Sequence, residues 1–192
     1  MVRERIIGAA MEAMEESGIR FTMSDLAAKL AVSKRTLYEY FSSKEELIGV
    51  IVDNFLADLD QQLESVAHDK DLTLIDKVKA IQQIYPMKYG LNMDRALSDI
   101  RQQFPDEWAK AERLRRKIWN VVEEILQKAI SANYLRPVNP AIIRILYDGI
   151  TDHLSNSRFL AQNNLTMHDL IAILGDIILY GLVTSEHRED DE

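Results

Sequence analysis

Apolar residues recur along this chain at intervals of three and four, the repeat of a helix with one buried face. No stretch sustains the alternation of a half-buried strand. The spacing predicts an all-α chain of about nine helices. The first covers 2–17, with Ile6, Ala10, Ala13 and Met14 on one stripe, and Gly18 ends it. A short second helix begins at Thr22 or Met23. Thr22 and Asp25 stand there at capping-box spacing, with Asp in place of the usual Glu, and Leu26, Ala27 and Leu30 form the inner face. A tight turn at Ala31 and Val32 leads into a third helix, capped by Ser33 and running to about Phe41, with Leu37 and Phe41 inward. Ser43 caps the fourth and Glu46 completes "SKEE" as a second box. Leu47, Ile48, Ile51, Phe55, Leu59 and Leu63 then follow at helical spacing. Five more helices are expected over 72–85, 92–103, 105–132, 140–160 and 166–185. "YPMKYG" and "SANYLRPVNP" interrupt them, because proline does not continue a helical ladder cheaply, and Asn139 or Pro140 opens the eighth.

Composition narrows the class. A length of 192 residues suffices for one or two domains with a sizeable core. There is no cysteine, which excludes disulfides, thiolate metal sites and a cysteine nucleophile. The opening "MVRERIIGAAMEAMEESG" is too acidic and too interrupted for a signal peptide. The longest apolar run, "LIAILGDIILYGLV", falls short of the roughly 18–20 residues of a spanning helix and carries Asp176 in its middle. It reads as a buried helix, so no membrane span and a cytoplasmic location are expected.

The net charge of −8 is unevenly placed. The first 48 residues carry seven basic and eight acidic side chains, so most of the surplus acid lies downstream. A local basic face is therefore compatible with an acidic chain. Lys29, Lys34, Arg35 and Lys44 gather around Tyr38 and Tyr40. Two short helices joined by a tight turn read as a helix-turn-helix, whose second helix enters a DNA major groove. Small Ala27 suits the helix crossing, and Leu26, Leu30, Val32 and Leu37 would form the core beneath it. Ser33, Lys34, Arg35 and Thr36 project from the start of the third helix and are types that donate to base edges and phosphates. Tyr38 and Tyr40 supply hydroxyls, and Lys44 lies in the first turn of the fourth helix, where free N–H groups attract an anion.

Over residues 6–51 the order of motifs resembles the TetR family of transcriptional regulators: "T-x-x-D-L-A" from Thr22, a shortened "A-V-S" from Ala31, "T-L-Y-x-Y-F" from Thr36 and "S-K-E-E-L" from Ser43. One departure is Ala31, where the family usually has Gly. A left-handed turn costs a non-glycine residue on the order of 1 kcal/mol there. The resemblance implies a DNA-binding domain over 1–47 and a ligand-binding and dimerisation domain over 48–192. It implies base or near-base contacts for Ser33, Lys34, Arg35 and Thr36, and phosphate contacts for Thr22, Tyr38, Tyr40 and Lys44, with Ser24 and Lys29 as further candidates. It also implies a homodimer, a double-stranded palindromic operator and a small-molecule inducer that releases a repressor from it.

The downstream residues supply material for this. Ile142, Leu146, Ile150 and Leu154 form one stripe of the eighth helix, and the ninth is almost wholly apolar. Two such helices from each of two subunits would make a four-helix interface. The same faces would also suit burial within one subunit. Tyr85, Met87, Tyr89, Met93, Phe104, Trp108, Trp119 and Tyr147 suit an adaptable apolar ligand pocket, and equally suit an ordinary core. No phosphate loop, nucleophile elbow or paired-histidine zinc motif is present, so no catalytic residue, metal or cofactor is expected. A helical adaptor without DNA affinity is the rival reading, and a small all-α enzyme has no motif behind it.

Overall fold

A computed structural model describes residues 2–84, 93–155 and 159–182, and all the regular elements among them are helices. The nine expected helices are present. They are α1 (Val2–Ser17), α2 (Met23–Leu30), α3 (Lys34–Tyr40), α4 (Lys44–His68), α5 (Leu74–Gln82), α6 (Met93–Gln103), α7 (Pro105–Ser131), α8 (Pro140–Ser155) and, last among the described residues, α10 (Met167–Leu182). A 3-10 turn over Gly18–Arg20 and the single turn α9 (Phe159–Gln162) are additional. The eighth helix is described over Pro140–Ser155, and residues 156–158 of its expected span lie outside the described residues. The fifth starts two residues later than expected, because Thr73 is its cap and not part of it.

Helix starts follow one chemical device. Thr22, Thr73 and Thr166 each accept a hydrogen bond from the backbone N–H three residues on, and Asp25, Asp76 and Asp169 reach back to the threonine N–H and hydroxyl. The Asp side chain is short, yet it meets both threonine donors. These bonds hold the Asp25 and Asp169 carboxyls below their ordinary range, the backbone N–H of the threonine contributing most. The expected box at Ser43 is split between two residues. Ser43 Oγ accepts from the Glu46 N–H at 3.1 Å, while the Glu46 carboxylate takes the N–H and hydroxyl of Ser42 at 2.7 and 2.6 Å. Ser42 precedes the cap, and its two donors converge on one oxygen.

The chain divides into two compact units, Met1–Asp58 with Pro86–Glu112, and Leu59–Tyr85 with Arg113–Glu192. In the first, α1 lies against α2, α6 and the 3-10 turn, and α2 packs on α3. Its core holds Ile6, Ala10, Met14, Leu26, Ala27, Leu37, Phe41, Leu47, Ile48 and Ile51. Lys110 joins Asp53 of α4 to its own neighbour Glu107 at 2.6 and 2.8 Å. The segment expected over 1–47 lies wholly within this unit, which also takes in the next turns of α4 and all of α6. In the second unit, α10 packs on α5 and α8 around Leu63, Val78, Ile81, Trp119, Leu126, Leu135, Ile143 and Leu179. Lys117 holds Asp60 and Glu64, both at 2.6 Å.

Candidate nucleic-acid interface

The turn between α2 and α3 decides how α3 is presented. Ala31 takes φ 54° and ψ 42°, a left-handed conformation. The Ala31 N–H donates to the Ala28 carbonyl at 3.1 Å and the Val32 N–H to the Ala27 carbonyl at 3.0 Å, the paired bonds of a Schellman ending. An alanine occupies the glycine place, and the chain keeps the geometry that glycine would allow. Ser33 follows in an extended conformation. Its Oγ accepts the Thr36 N–H at 3.0 Å and lies 2.9 Å from the Thr36 hydroxyl, so these two polar residues also set the start of α3.

Leu37 and Phe41 are fully buried, which pins one side of α3 to the core. Ser33, Lys34, Arg35, Tyr38 and Tyr40 are exposed, and Thr36 is half-buried. Arg35 Nε reaches Glu39, at 3.4 Å, one turn along the same helix. Thr22 is exposed at the cap of α2. Seven of the eight residues assigned to DNA thus present polar atoms to solvent on adjoining elements.

Lys44 differs. Its Nζ donates to the carbonyl of Ile19 and lies 4.8 Å above the ring of Phe21. Burial lowers its pKa, opposed by the nearby carboxylates of Glu45, Asp25 and Asp99. The same Ile19 residue gives its N–H to Asp99 of α6 at 3.1 Å. The 3-10 turn is therefore held from two sides, by a lysine of α4 and an aspartate of α6. Neither contact was legible in the sequence, since Asp99 is 80 positions from its partner. Lys29 is committed to α1, where it meets Glu12 at 2.9 Å and Glu16 at 3.6 Å, and this engagement raises its pKa.

Residues 6–51 match the family model described as bacterial regulatory proteins, tetR family. The chain is 25% identical over 186 residues to the HTH-type transcriptional regulator YvaF of Bacillus subtilis (strain 168), covering 97% of this chain and 98% of that one. The chain belongs to the TetR family. It is a DNA-binding transcriptional regulator of that family. The fold agrees. A TetR-family regulator from Marinobacter aquaeolei VT8 superposes with a TM-score of 0.75 at 20% identity, over 98% of this chain and 94% of that one. FadR from Bacillus subtilis, solved in complex with stearoyl-CoA, gives 0.65 at 17%, over 93% and 98%.

The residues expected to line a ligand pocket in this TetR-family chain fall into separate groups. Tyr85, Met87 and Tyr89 lie outside the described residues, as does the side chain of Met93. Trp108 lines an apolar cleft in the first unit with Met14, Ile51, Phe55, Leu56 and Ile100, and Arg101 stands over its ring at 5.4 Å. Phe104 packs against the core of the same unit. Trp119 and Tyr147 meet edge to face in the second unit, with ring centres 5.4 Å apart. Their polar ends are engaged: Trp119 Nε1 donates to Asp148 at 3.2 Å and the Tyr147 hydroxyl to the Ile171 carbonyl at 3.1 Å. Burial pushes the Tyr147 hydroxyl upward. Asp148 also holds Arg115 at 3.1 Å and Arg144 at 3.5 Å. No helix among the described residues is long and apolar enough to cross a membrane, and no group of acidic or histidine side chains among them could hold a metal ion.

Proposed function

We propose that the chain is a ligand-responsive repressor. It binds a palindromic operator as a homodimer and leaves it when a small molecule occupies the region over 48–192, while 1–47 contacts DNA through Thr22, Ser33, Lys34, Arg35, Thr36, Tyr38, Tyr40 and Lys44. Its place is the cytoplasm. The observation that carries this reading is an uncovered apolar face in the second unit. Ile142, Ile145 and Leu146 of α8 are exposed, Ile145 to 70%, and so are Ile173 and Ile177 of α10, Ile177 to 66%. Large apolar side chains at successive helical turns are costly to leave in water, and a second copy of the same face covers them by two-fold symmetry. A two-fold dimer presents two copies of α3, which fit half-sites about 34–36 Å apart on one side of the duplex.

Release follows from linkage. An inducer that binds better to a conformation with the wrong separation of the two reading helices lowers operator affinity by that difference in affinity. The stearoyl-CoA complex of FadR supports a small-molecule ligand for this chain as well. The test is a band-shift titration with the DNA flanking the protein's own gene, run with sedimentation of the free protein. A saturable shift by a dimer is expected. Folded, ligand-free protein that shifts no such fragment would favour an adaptor without DNA affinity.

A further inference from the structure

The exposed side of α3 carries a group that a phosphate-tracking surface does not use. Leu37 is the buried residue of this helix. Two residues in either direction turn about 200° around a helix axis. Arg35 and Glu39 therefore stand on the side opposite Leu37. They are exposed, their side chains to 90% and 59%, and they face each other at 3.4 Å. A helix that docks by this side leads with an arginine and a carboxylate.

We propose that Glu39 is a specificity-determining residue that reads a cytosine in the major groove, beside a guanine read by Arg35. This rests on the DNA-binding reading above and adds a base preference to it. A carboxylate has only acceptors, and DNA surrounds it with phosphate charge. Its favourable partner in the groove is the N4 amino group of cytosine, whereas arginine pairs with the O6 and N7 acceptors of guanine. The exposed Arg35–Glu39 pair holds little energy in water, so each partner exchanges it for a base at small cost. On a duplex of the wrong sequence no donor meets Glu39, and repulsion from phosphates remains. The residue thus weakens indiscriminate binding and favours sites with a cytosine at one position of each half-site.

The test is selection of binding sites from randomised duplex DNA by the full-length protein, its Glu39→Gln variant and its Glu39→Ala variant. Dissociation constants are then measured for the selected site and its single-base changes over a range of salt. The native protein is expected to require cytosine at one position of each half-site. Glutamine pairs with adenine, so Glu39→Gln should move that preference from cytosine to adenine. Glu39→Ala should lose it, by a factor on the order of ten to a hundred. Both variants should bind unrelated DNA more tightly and with a steeper salt dependence, since a negative charge has gone. Variants that select the native sites with unchanged ratios at every position would overturn the role of Glu39 and leave DNA binding standing. A native protein that enriches no sequence would overturn both. Glu39 is exposed, so circular dichroism should show the same helix content in all three proteins.

Discussion

Ala31→Gly is expected to stabilise the protein, and the size of the gain follows from one backbone angle. Ala31 is exposed and sits at φ 54°, so its methyl group buries nothing and crowds its own carbonyl. A left-handed conformation costs an L-residue about 1–2 kcal/mol, which glycine escapes. Glycine loses more backbone freedom on folding, about 0.4–1 kcal/mol relative to alanine. The net gain is about 0.5–1 kcal/mol, or a rise in Tm of a few degrees, given about 2–4 °C per kcal/mol for a chain of this size. Urea and thermal unfolding followed by far-ultraviolet circular dichroism measure it directly. With two compact units, the relevant transition is the one that reports the first unit. Asn133→Gly and Asn164→Gly are controls. Both asparagines are also left-handed, at φ 62° and 53°, but asparagine tolerates that region and should gain less. Gly18→Ala should move the other way, since Gly18 holds φ 68° and is buried. An Ala31→Gly variant no more stable than the native protein would refute the idea that this turn is strained. Operator affinity should change little, because glycine accepts the geometry already present.

The Thr22–Asp25 cap gives a pH dependence of known sign. The Asp25 carboxyl lies below its ordinary value of 3.8 in the folded protein, so its contribution is complete above that value and disappears as pH falls through the folded one. Asp25→Asn should therefore cost stability at neutral pH and progressively less in acid. A cost independent of pH would assign the effect to something other than the charged cap. Ile145→Glu with Ile177→Glu places charges on positions exposed in the single chain, so helix content should persist. A dimer interface would have to bury those charges at several kcal/mol, and sedimentation should show a monomer with little operator affinity. A folded, still dimeric variant would place the interface elsewhere. Lys44→Ala should weaken binding to all sequences and reduce the salt slope by about one. Arg35→Ala should relax base preference at a cost of about 1–3 kcal/mol. Equal, uniform losses in the two variants would remove Arg35 from base reading.

What the sequence determined by itself is what forms within a few residues. Thr22 with Asp25, Ser33 with Thr36 and Gly18 at the end of α1 are contacts between near neighbours in the chain. Their residue types carry the instruction, and each appears in the fold as its spacing implies. The caps at Thr73 and Thr166 use the same Thr-x-x-Asp spacing and were equally open to reading. The strain at Ala31 was legible too, since a tight turn with no glycine leaves an alanine to take the left-handed angle. Tertiary structure decided which of several possible partners a side chain takes. Lys44 has the position of a phosphate ligand, yet in the folded chain it also anchors Ile19, which Asp99 holds from the other side. Periodicity separates apolar from polar positions but does not rank apolar faces. Ile143 is buried while Ile142 and Ile145 on either side are exposed, because α8 has apolar residues on more than one face and its neighbours cover only one. Aromatic residues carry the same ambiguity. Trp119 and Tyr147 lock to each other, to Asp148 and to a backbone carbonyl, because burial leaves an indole N–H or a phenol no water to bond and packing alone determines which acceptor stands near.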